Sequence, residues 1–529
     1  MAFACVLAGG LVVDGTGTPG YRADVGLEDG RIVAVGNLSS SEAATRIEAS
    51  GRVVCPGFID MHSHSDLTLL IQPTGDSKLQ QGVTTEVNGN CGFSPAPLTD
   101  ASAETVVQLH GFFGSYVREL GWDWRRPDEY IARLEANGLS YNVVLLVGHA
   151  TVRICAMGMD QRPPTAAELE HMRDLVRSAM RVGYFGMSSG LVTPPSVYAD
   201  TDELAELASI VAESGGLYAT HMRGEGHSLL RATAEALEIG ERSGARVQIS
   251  HHKATFRPYW GRIRQAIQLS EWAAQRGQAV GFDVYPYTAG SANLTQIMPD
   301  WAHEGGLDRL LERLRQPATR ERVRRDVLAQ GREWDQTFVA WVPAETDQTL
   351  QGESIADIAE QRGLDPIDAL FAVLDESSGG ASMVHFAMDE QDVRFVMRHP
   401  LSMVGSDGLG LAPTGVLGEG QPHPRCYGTY PRILGQYVRD ERVLRLEDAV
   451  RKASFLPAET LGLPTKGRIQ PGADADLVVF NPATIKETAT YRRPHQFPAG
   501  IEYVLVGGQI AVDHGTITSA RAGKVLRRV

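Results

Sequence analysis

Apolar residues fall into two patterns along the chain. Over the first fifty or so residues, short apolar runs alternate with polar positions between Gly and Asp turns, as in CVLAGGLVVDG, ADVGLEDGRIVAVG and RIEASGRVV. The last sixty or so do the same in GADADLVVF and IEYVLVGGQIAVDHG. Alternation bounded by turn residues predicts antiparallel strands. Two β-rich ends that pair with each other predict one small β-sandwich domain built from residues 1–56 and 466–529.

The middle follows a different rule. Continuous apolar runs lie near residues 56, 82, 142, 183, 216, 246, 279 and 402: PGFIDMHSH, GVTTEVNGN, NVVLLVGHA, GYFGMSSGL, GLYATHMR, RVQISHHK, AVGFDVYPY and SMVGSDG. Amphipathic stretches such as TAAELEHMRDLVRSAMRV and SLLRATAEALEIGERSG separate several of them. Continuous hydrophobicity suits strands buried on both faces. Eight such strands alternating with helices predict an α/β fold, a (β/α)8 TIM barrel spanning residues 57–465. The rhythm breaks after the seventh run, where LDRLLERLRQPATRERVRRDVLAQG reads as charged helices. An insertion there sits on the catalytic face, so a lid segment is expected over about 290–350.

Composition narrows the class. Hydrophobic residues make up 43% and charged residues 22%, a globular balance. With 50 Lys+Arg against 64 Asp+Glu the net charge is −14, which argues against nonspecific binding to nucleic acid or to an anionic membrane. The five cysteines, Cys5, Cys55, Cys91, Cys155 and Cys426, are odd in number and widely spaced, unlike a disulfide framework. The apolar start lacks a basic flank and reads as a strand, not a signal peptide, and no apolar run is long enough to span a bilayer. A cytoplasmic protein acting on a small molecule is expected. Its oligomeric state is left open.

Barrel enzymes carry their chemistry at the C-terminal ends of the strands. His62 and His64 close the first run, and a spacing of two puts both imidazoles on one face. Cys91 follows the second run, His221 closes the fifth, His251 the sixth and Asp407 the eighth. Singly, each has an ordinary structural role: a core histidine, a small buried thiol, a turn aspartate. Together they place zinc-type donors at five of eight strand ends, which predicts one metal centre. His149, at the end of the third run, is expected to face the same site as a substrate contact or a supporting hydrogen bond. His227 reads as a helix-start or surface residue.

At this point the sequence resembles the amidohydrolase superfamily, and within it the N-acyl-D-amino-acid deacylases (D-aminoacylases). The motifs PGFIDMHSHSD, EVNGNCGFS, MSSGL, YATHMRGEG, QISHHK, DVYPYTAG, GSDG, HPRCYGTYPRILG and GADADLVVF occur in the family's order over essentially the whole chain. The resemblance implies a tightly held Zn2+ on Cys91, His221 and His251, with His251 chosen over the adjacent His252. It implies a second, weaker metal position on His62, His64 and Asp407 that shares Cys91. It further implies a clamp for the substrate α-carboxylate made of Lys253, Tyr285 and Arg425. Asp407 is expected to take a proton from the attacking water and return it to the leaving amine.

Family members acting on acidic substrates carry an extra Arg after DVYPYTAG. Here SANLTQIMPDW has neither Arg nor Lys, so neutral or hydrophobic side chains are expected. The segment LGLAPTGVLGEGQP between Asp407 and Arg425 is longer than the usual connection. Two alternatives stand beside this reading. One is a cyclic-amide hydrolase resembling hydantoinases and dihydroorotases, although the lysine those enzymes use at the fourth strand is missing from GYFGMSSGL. The other is a non-catalytic scaffold, which is disfavoured because all six candidate ligands are kept.

Overall fold

The structure is a computed structural model that describes residues 3–528. Met1, Ala2 and Val529, at the edges of the expected terminal domain, lie outside the described residues.

The eight continuous apolar runs are eight parallel strands: β1 (Phe58–Asp60), β2 (Val83–Asn88), β3 (Asn142–Gly148), β4 (Gly186–Gly190), β5 (Leu217–His221), β6 (Arg246–Ile249), β7 (Val280–Val284) and β8 (Ser402–Val404). They pair in chain order. The ring nearly closes where Met61 N–H reaches the Val404 carbonyl at 3.3 Å and Asp407 N–H reaches the His62 carbonyl at 2.8 Å.

Burial on both faces explains the unbroken hydrophobicity. Every residue of β3 is buried. Val144 and Leu146 fill the barrel interior with Ile59, Val87, Phe185, Leu217 and Met403, while Val143, Leu145 and Val147 pack outward in the layer shared with the helices. The outer helices are amphipathic. In Leu229–Ser243 the buried positions include 229, 232, 236, 239 and 240, one face of a helix. Thr165 starts Ala166–Arg181 with a capping box to Glu168, and Asp200 accepts the Glu203 N–H at 2.8 Å to start Thr201–Glu213.

The two chain ends share a nine-stranded sheet in which Val53–Pro56 pairs antiparallel with Leu477–Phe480. The expectation of antiparallel pairing needs one correction: Phe3–Val12 runs parallel to Ala43–Glu48 and to Val53–Pro56. Alternation fixes which face of a strand is buried, not its direction relative to neighbours. The end of the chain then leaves the sheet and binds the barrel. Leu526 N–H meets the Val143 carbonyl at 2.8 Å, and Arg528 N–H meets the Gly183 carbonyl at 2.9 Å.

Between β7 and β8 the chain builds a unit with its own hydrophobic core. Its three-stranded sheet consists of Ala289–Asn293, Thr337–Trp341 and Ser382–Phe386, flanked by helices that include Leu307–Arg315, Pro317–Leu328, Ile355–Arg362 and Pro366–Glu376. The expected lid of about 290–350 falls inside this segment. Antiparallel pairing of 289–293 with 382–386 brings both ends of the insertion to the barrel rim. Among the described residues no helix is long and apolar enough to cross a membrane.

Candidate metal centre and substrate cavity

The strand-end donors converge. His62 Nε2 lies 3.3 Å from Cys91 Sγ, His251 Nε2 lies 3.6 Å from it and His221 Nδ1 lies 3.8 Å from it. Asp407 Oδ1 is 3.0 Å from His64 Nε2 and 3.5 Å from His62 Nε2. Three overlapping sets, His62–His64–Cys91, Cys91–His221–His251 and His62–His251–Asp407, each keep their ligand atoms within 4.8 Å of one another. Cys91 is common to two sets, and so are His62 and His251.

The backbone is strained at this centre. Cys91 (φ 53°), His251 (φ 35°) and Asp407 (φ 51°) all adopt the left-handed region. That conformation costs a non-glycine residue on the order of 1–3 kcal/mol and persists only where surrounding contacts impose it. The contacts are visible. Asp283 Oδ1 accepts the His251 N–H at 2.8 Å and faces His62 Nδ1 at 3.4 Å. Asp60 accepts the Ser406 N–H at 2.8 Å, next to Asp407. Gly190 must be glycine, because an added Cβ would lie 2.1 Å from the Cys91 carbonyl oxygen.

The second nitrogen of two imidazoles has a charged neighbour. His251 Nδ1 accepts from Lys253 Nζ at 2.8 Å with Glu225 Oε1 3.1 Å away, and His62 Nδ1 faces Asp283 at 3.4 Å. A carboxylate, Glu225 or Asp283, stands beside the outer nitrogen of each ring while Nε2 faces the Cys91 thiol, a placement that suits metal-binding histidines. Burial pushes the Cys91 thiol up, but His62 and the hydrogen bonds from His221 and His251 outweigh it and hold the thiol well below its usual range. Burial likewise raises the Asp407 carboxyl, and Arg425, His62 and His64 more than reverse this. Cysteine thiolate, imidazole and carboxylate together are a donor set suited to zinc. The residues therefore fit the metal that the sequence suggests.

The remaining expected residues separate into two groups. Lys253, Tyr285 and Arg425 share one wall: the Lys253 Nζ lies 5.9 Å from the Tyr285 ring centre and the Arg425 guanidinium carbon 4.9 Å from it. Among the described residues, Tyr285 OH and Arg425 Nε are buried without hydrogen-bond partners. Arg425 Nη1 forms an ion pair with Asp407 Oδ2 at 2.8 Å, although it is poorly aligned for a hydrogen bond. His149 is the exception, and the expectation that it contacts substrate needs correcting. It is 0% exposed, with Nδ1 2.8 Å from Ser196 Oγ and Nε2 2.8 Å from Glu203 Oε1. Both ring nitrogens are used inside the protein, behind the cavity wall.

The metal centre opens into a cavity of about 1150 Å3 covered by the inserted unit. The loop 291–301 lines it without a cation, but Arg332 reaches the wall from further along the insertion. Arg332 donates to Gln330 Oε1 at 2.7 Å and lies over the Phe256 ring at 5.3 Å. Sequence reasoning passed over Arg332, Asp283 and Glu225. Asp283 carries a signal in retrospect, an acid inside the apolar run GFDV, since a buried carboxylate needs a partner.

Below the metal centre lies a buried ion cluster that was also missed. Lys78 Nζ donates to Asp60 Oδ2 at 2.6 Å and Ser406 Oγ at 2.7 Å, and Glu86 Oε2 is 3.8 Å away. Glu86 in turn accepts from Ser63 at 2.8 Å and Tyr141 at 3.0 Å. The cluster ties β1, β2 and the turn after β8 together. Lys78→Met is expected to leave two carboxylates buried without their cation and to destabilise the fold by about 3–5 kcal/mol, read as a lower urea midpoint. An unchanged midpoint would show that the cluster contributes nothing.

Comparison with known proteins identifies the family. The profile of the Amidohydrolase family matches residues 46–512. A D-aminoacylase from Alcaligenes xylosoxydans xylosoxydans is 39% identical over 526 residues, 99% of this chain and 98% of that protein. The crystal structure of an N-acyl-D-glutamate deacylase from Bordetella bronchiseptica, complexed with zinc and a phosphonate mimic of the tetrahedral intermediate, superimposes with a TM-score of 0.83 at 35% identity, covering 100% of both chains. A D-aminoacylase structure addressing one-metal activation and second-metal attenuation of its binuclear centre gives a TM-score of 0.85 at 37% identity, covering 99% of this chain and 100% of that one. The chain is therefore a metal-dependent hydrolase of the amidohydrolase family and belongs, within it, to the N-acyl-D-amino-acid deacylases.

Proposed function

We propose that this chain hydrolyses the amide bond of N-acyl-D-amino acids with neutral or hydrophobic side chains, releasing a carboxylate and the free D-amino acid. The observation that carries the reading is the placement of a thiolate–imidazole centre beside a wall of two cations and a phenol. One part suits an amide carbonyl and the other an α-carboxylate. We assign the tightly held zinc to Cys91, His221 and His251, and a weaker second position to His62, His64 and Asp407 with Cys91 shared. Zinc, when bound, polarises the carbonyl and makes water more acidic. Asp407 takes the proton of the attacking water on a carboxylate oxygen and delivers it to the amide nitrogen, so that nitrogen leaves as a neutral amine and not as an amide anion, a very poor leaving group. Lys253, Tyr285 and Arg425 hold the substrate α-carboxylate and so fix the amide against the metal centre. The inserted unit limits the access of bulk water.

The deciding experiment is a kinetic screen of N-acetyl-D- and N-acetyl-L-amino acids at one defined zinc content, with hydantoins alongside. Preference for D-leucine, D-methionine, D-phenylalanine or D-tryptophan derivatives is expected. Faster hydrolysis of hydantoins would return the cyclic-amide reading, which the absence of Lys from β4 disfavours. Protein lacking both zinc and affinity for it would return the scaffold.

Two further outcomes follow from the cavity wall. N-acetyl-D-leucine is expected to be hydrolysed faster than N-acetyl-D-glutamate, because Arg332 is already engaged with Gln330 and Phe256. The reverse order would assign Arg332 to the substrate side chain. Arg425→Met is expected to raise KM for acyl amino acids at least tenfold, with a much smaller effect on amides lacking the carboxylate. That size is about what losing one charge-assisted hydrogen bond costs. Equal effects on both substrate types would remove Arg425 from the clamp.

A further inference from the structure

The two sides of the cavity differ in chemistry. Toward β6 and β7 lie the charged and phenolic groups of Lys253 and Tyr285. Toward β1 and β2 the wall is aromatic and aliphatic. Phe113 lies 5.6 Å from His64 between ring centres, Phe112 lies 4.2 Å from Phe113, and Phe93 lies 5.8 Å from both phenylalanines. Leu409, Leu411 and Leu417, from the long segment after β8, line the same cavity. That segment is fixed in place. Leu411 N–H donates to Ser77 Oγ at 2.9 Å, Gly410 N–H to Ser65 Oγ at 2.8 Å, and Glu419 accepts from Ser115 at 2.9 Å, joining the loop to the segment that carries Phe112 and Phe113.

An amide is planar and trans, so its two carbon substituents leave in opposite directions. With the α-carboxylate held at Lys253, Tyr285 and Arg425, the acyl substituent is directed past His64 toward Phe113. The cavity, at about 1150 Å3, exceeds the roughly 300–1,000 Å3 typical of small-molecule sites. An N-acetyl amino acid leaves much of it unfilled.

Resting on the deacylase reading above, we infer that the Phe93–Phe112–Phe113 wall and the Leu409–Leu417 loop form a pocket for the acyl chain. The pocket makes this chain selective for N-acyl-D-amino acids with medium-length alkyl acyl groups over N-acetyl ones. Phe113 and Leu417 are its specificity-determining residues, and the length of the segment after β8 is what supplies the second wall.

The test is kcat/KM for N-acetyl-, N-butanoyl-, N-hexanoyl- and N-octanoyl-D-leucine at one zinc content. Each methylene that enters the pocket is expected to raise kcat/KM by about three- to fourfold. The hexanoyl substrate should exceed the acetyl one at least tenfold. Phe113→Ser and, separately, Leu417→Asn are expected to lower the hexanoyl-to-acetyl ratio at least fivefold, so the pocket is tested even if one variant does not fold. A flat or falling series, with N-acetyl-D-leucine still hydrolysed, overturns the acyl pocket and leaves the deacylase reading intact. An unchanged ratio in a folded variant overturns that residue's part in the pocket. Absence of hydrolysis across the whole series overturns the deacylase reading itself.

Discussion

Asp407→Asn is expected to lower kcat between about a hundredfold and ten-thousandfold, the range that general acid–base groups contribute, while the protein retains its zinc. The substitution preserves volume and the oxygen that faces His64 at 3.0 Å. It removes the ability to accept a proton. The proposed zinc ligands Cys91, His221 and His251 are untouched, so metal content measured on the purified variant separates lost chemistry from lost metal. KM is expected to change less than kcat. Asp407 also faces Arg425 at 2.8 Å, so some weakening of the clamp is expected as well. Turnover within a few-fold of the parent, with zinc retained, would remove Asp407 from proton transfer.

Cys91→Ala carries the second large effect. Cys91 is the donor common to the two metal-ligand sets built on the strand ends of β1, β5 and β6. Altering groups that merely orient a metal ligand costs about 10–100-fold in affinity, so losing the thiolate is expected to cost at least 100-fold. Dialysis of the parent protein against a chelator should abolish hydrolysis, and added zinc should restore it. The Cys91→Ala variant should stay inactive at the zinc concentration that restores the parent. Full activity of this variant at that concentration would show that the remaining imidazoles hold the metal unaided.

Much of the barrel was legible because its strands obey one local rule. A strand covered on both faces is apolar throughout, so the eight runs stand out from amphipathic helices by pattern alone. Where burial was one-sided the pattern said less. In the terminal sheet, alternation identified strands but not the parallel pairing of Phe3–Val12 with Ala43–Glu48. The Arg521–Arg528 stretch, whose backbone bonds to β3 and its neighbours, carries no periodicity that announces it.

The candidate centre divided in the same way. His62, His64, Cys91, His221, His251 and Asp407 were visible because zinc chemistry requires those residue types and barrel topology puts strand ends in one ring. Lys78, Asp60 and Glu86 were not. An isolated charge in a sequence usually belongs to a solvated surface, and only the packing of three strand ends shows these to be buried partners. His149 illustrates the converse. A strand-end position suggests a residue that faces the site, but Glu203 and Ser196, distant in sequence, turn its imidazole inward.

The sequence alone thus marked out the barrel strands and the candidate donors, because hydrophobic period and ligand chemistry are local properties of residues. Tertiary structure decided which nitrogens face the centre, which carboxylates orient them, and which three residues are held in left-handed backbone. It also decided that the segment after β8 lines the same cavity as Phe112 and Phe113. Those features depend on contacts between residues far apart in the chain, and no local pattern encodes a contact before the chain has folded.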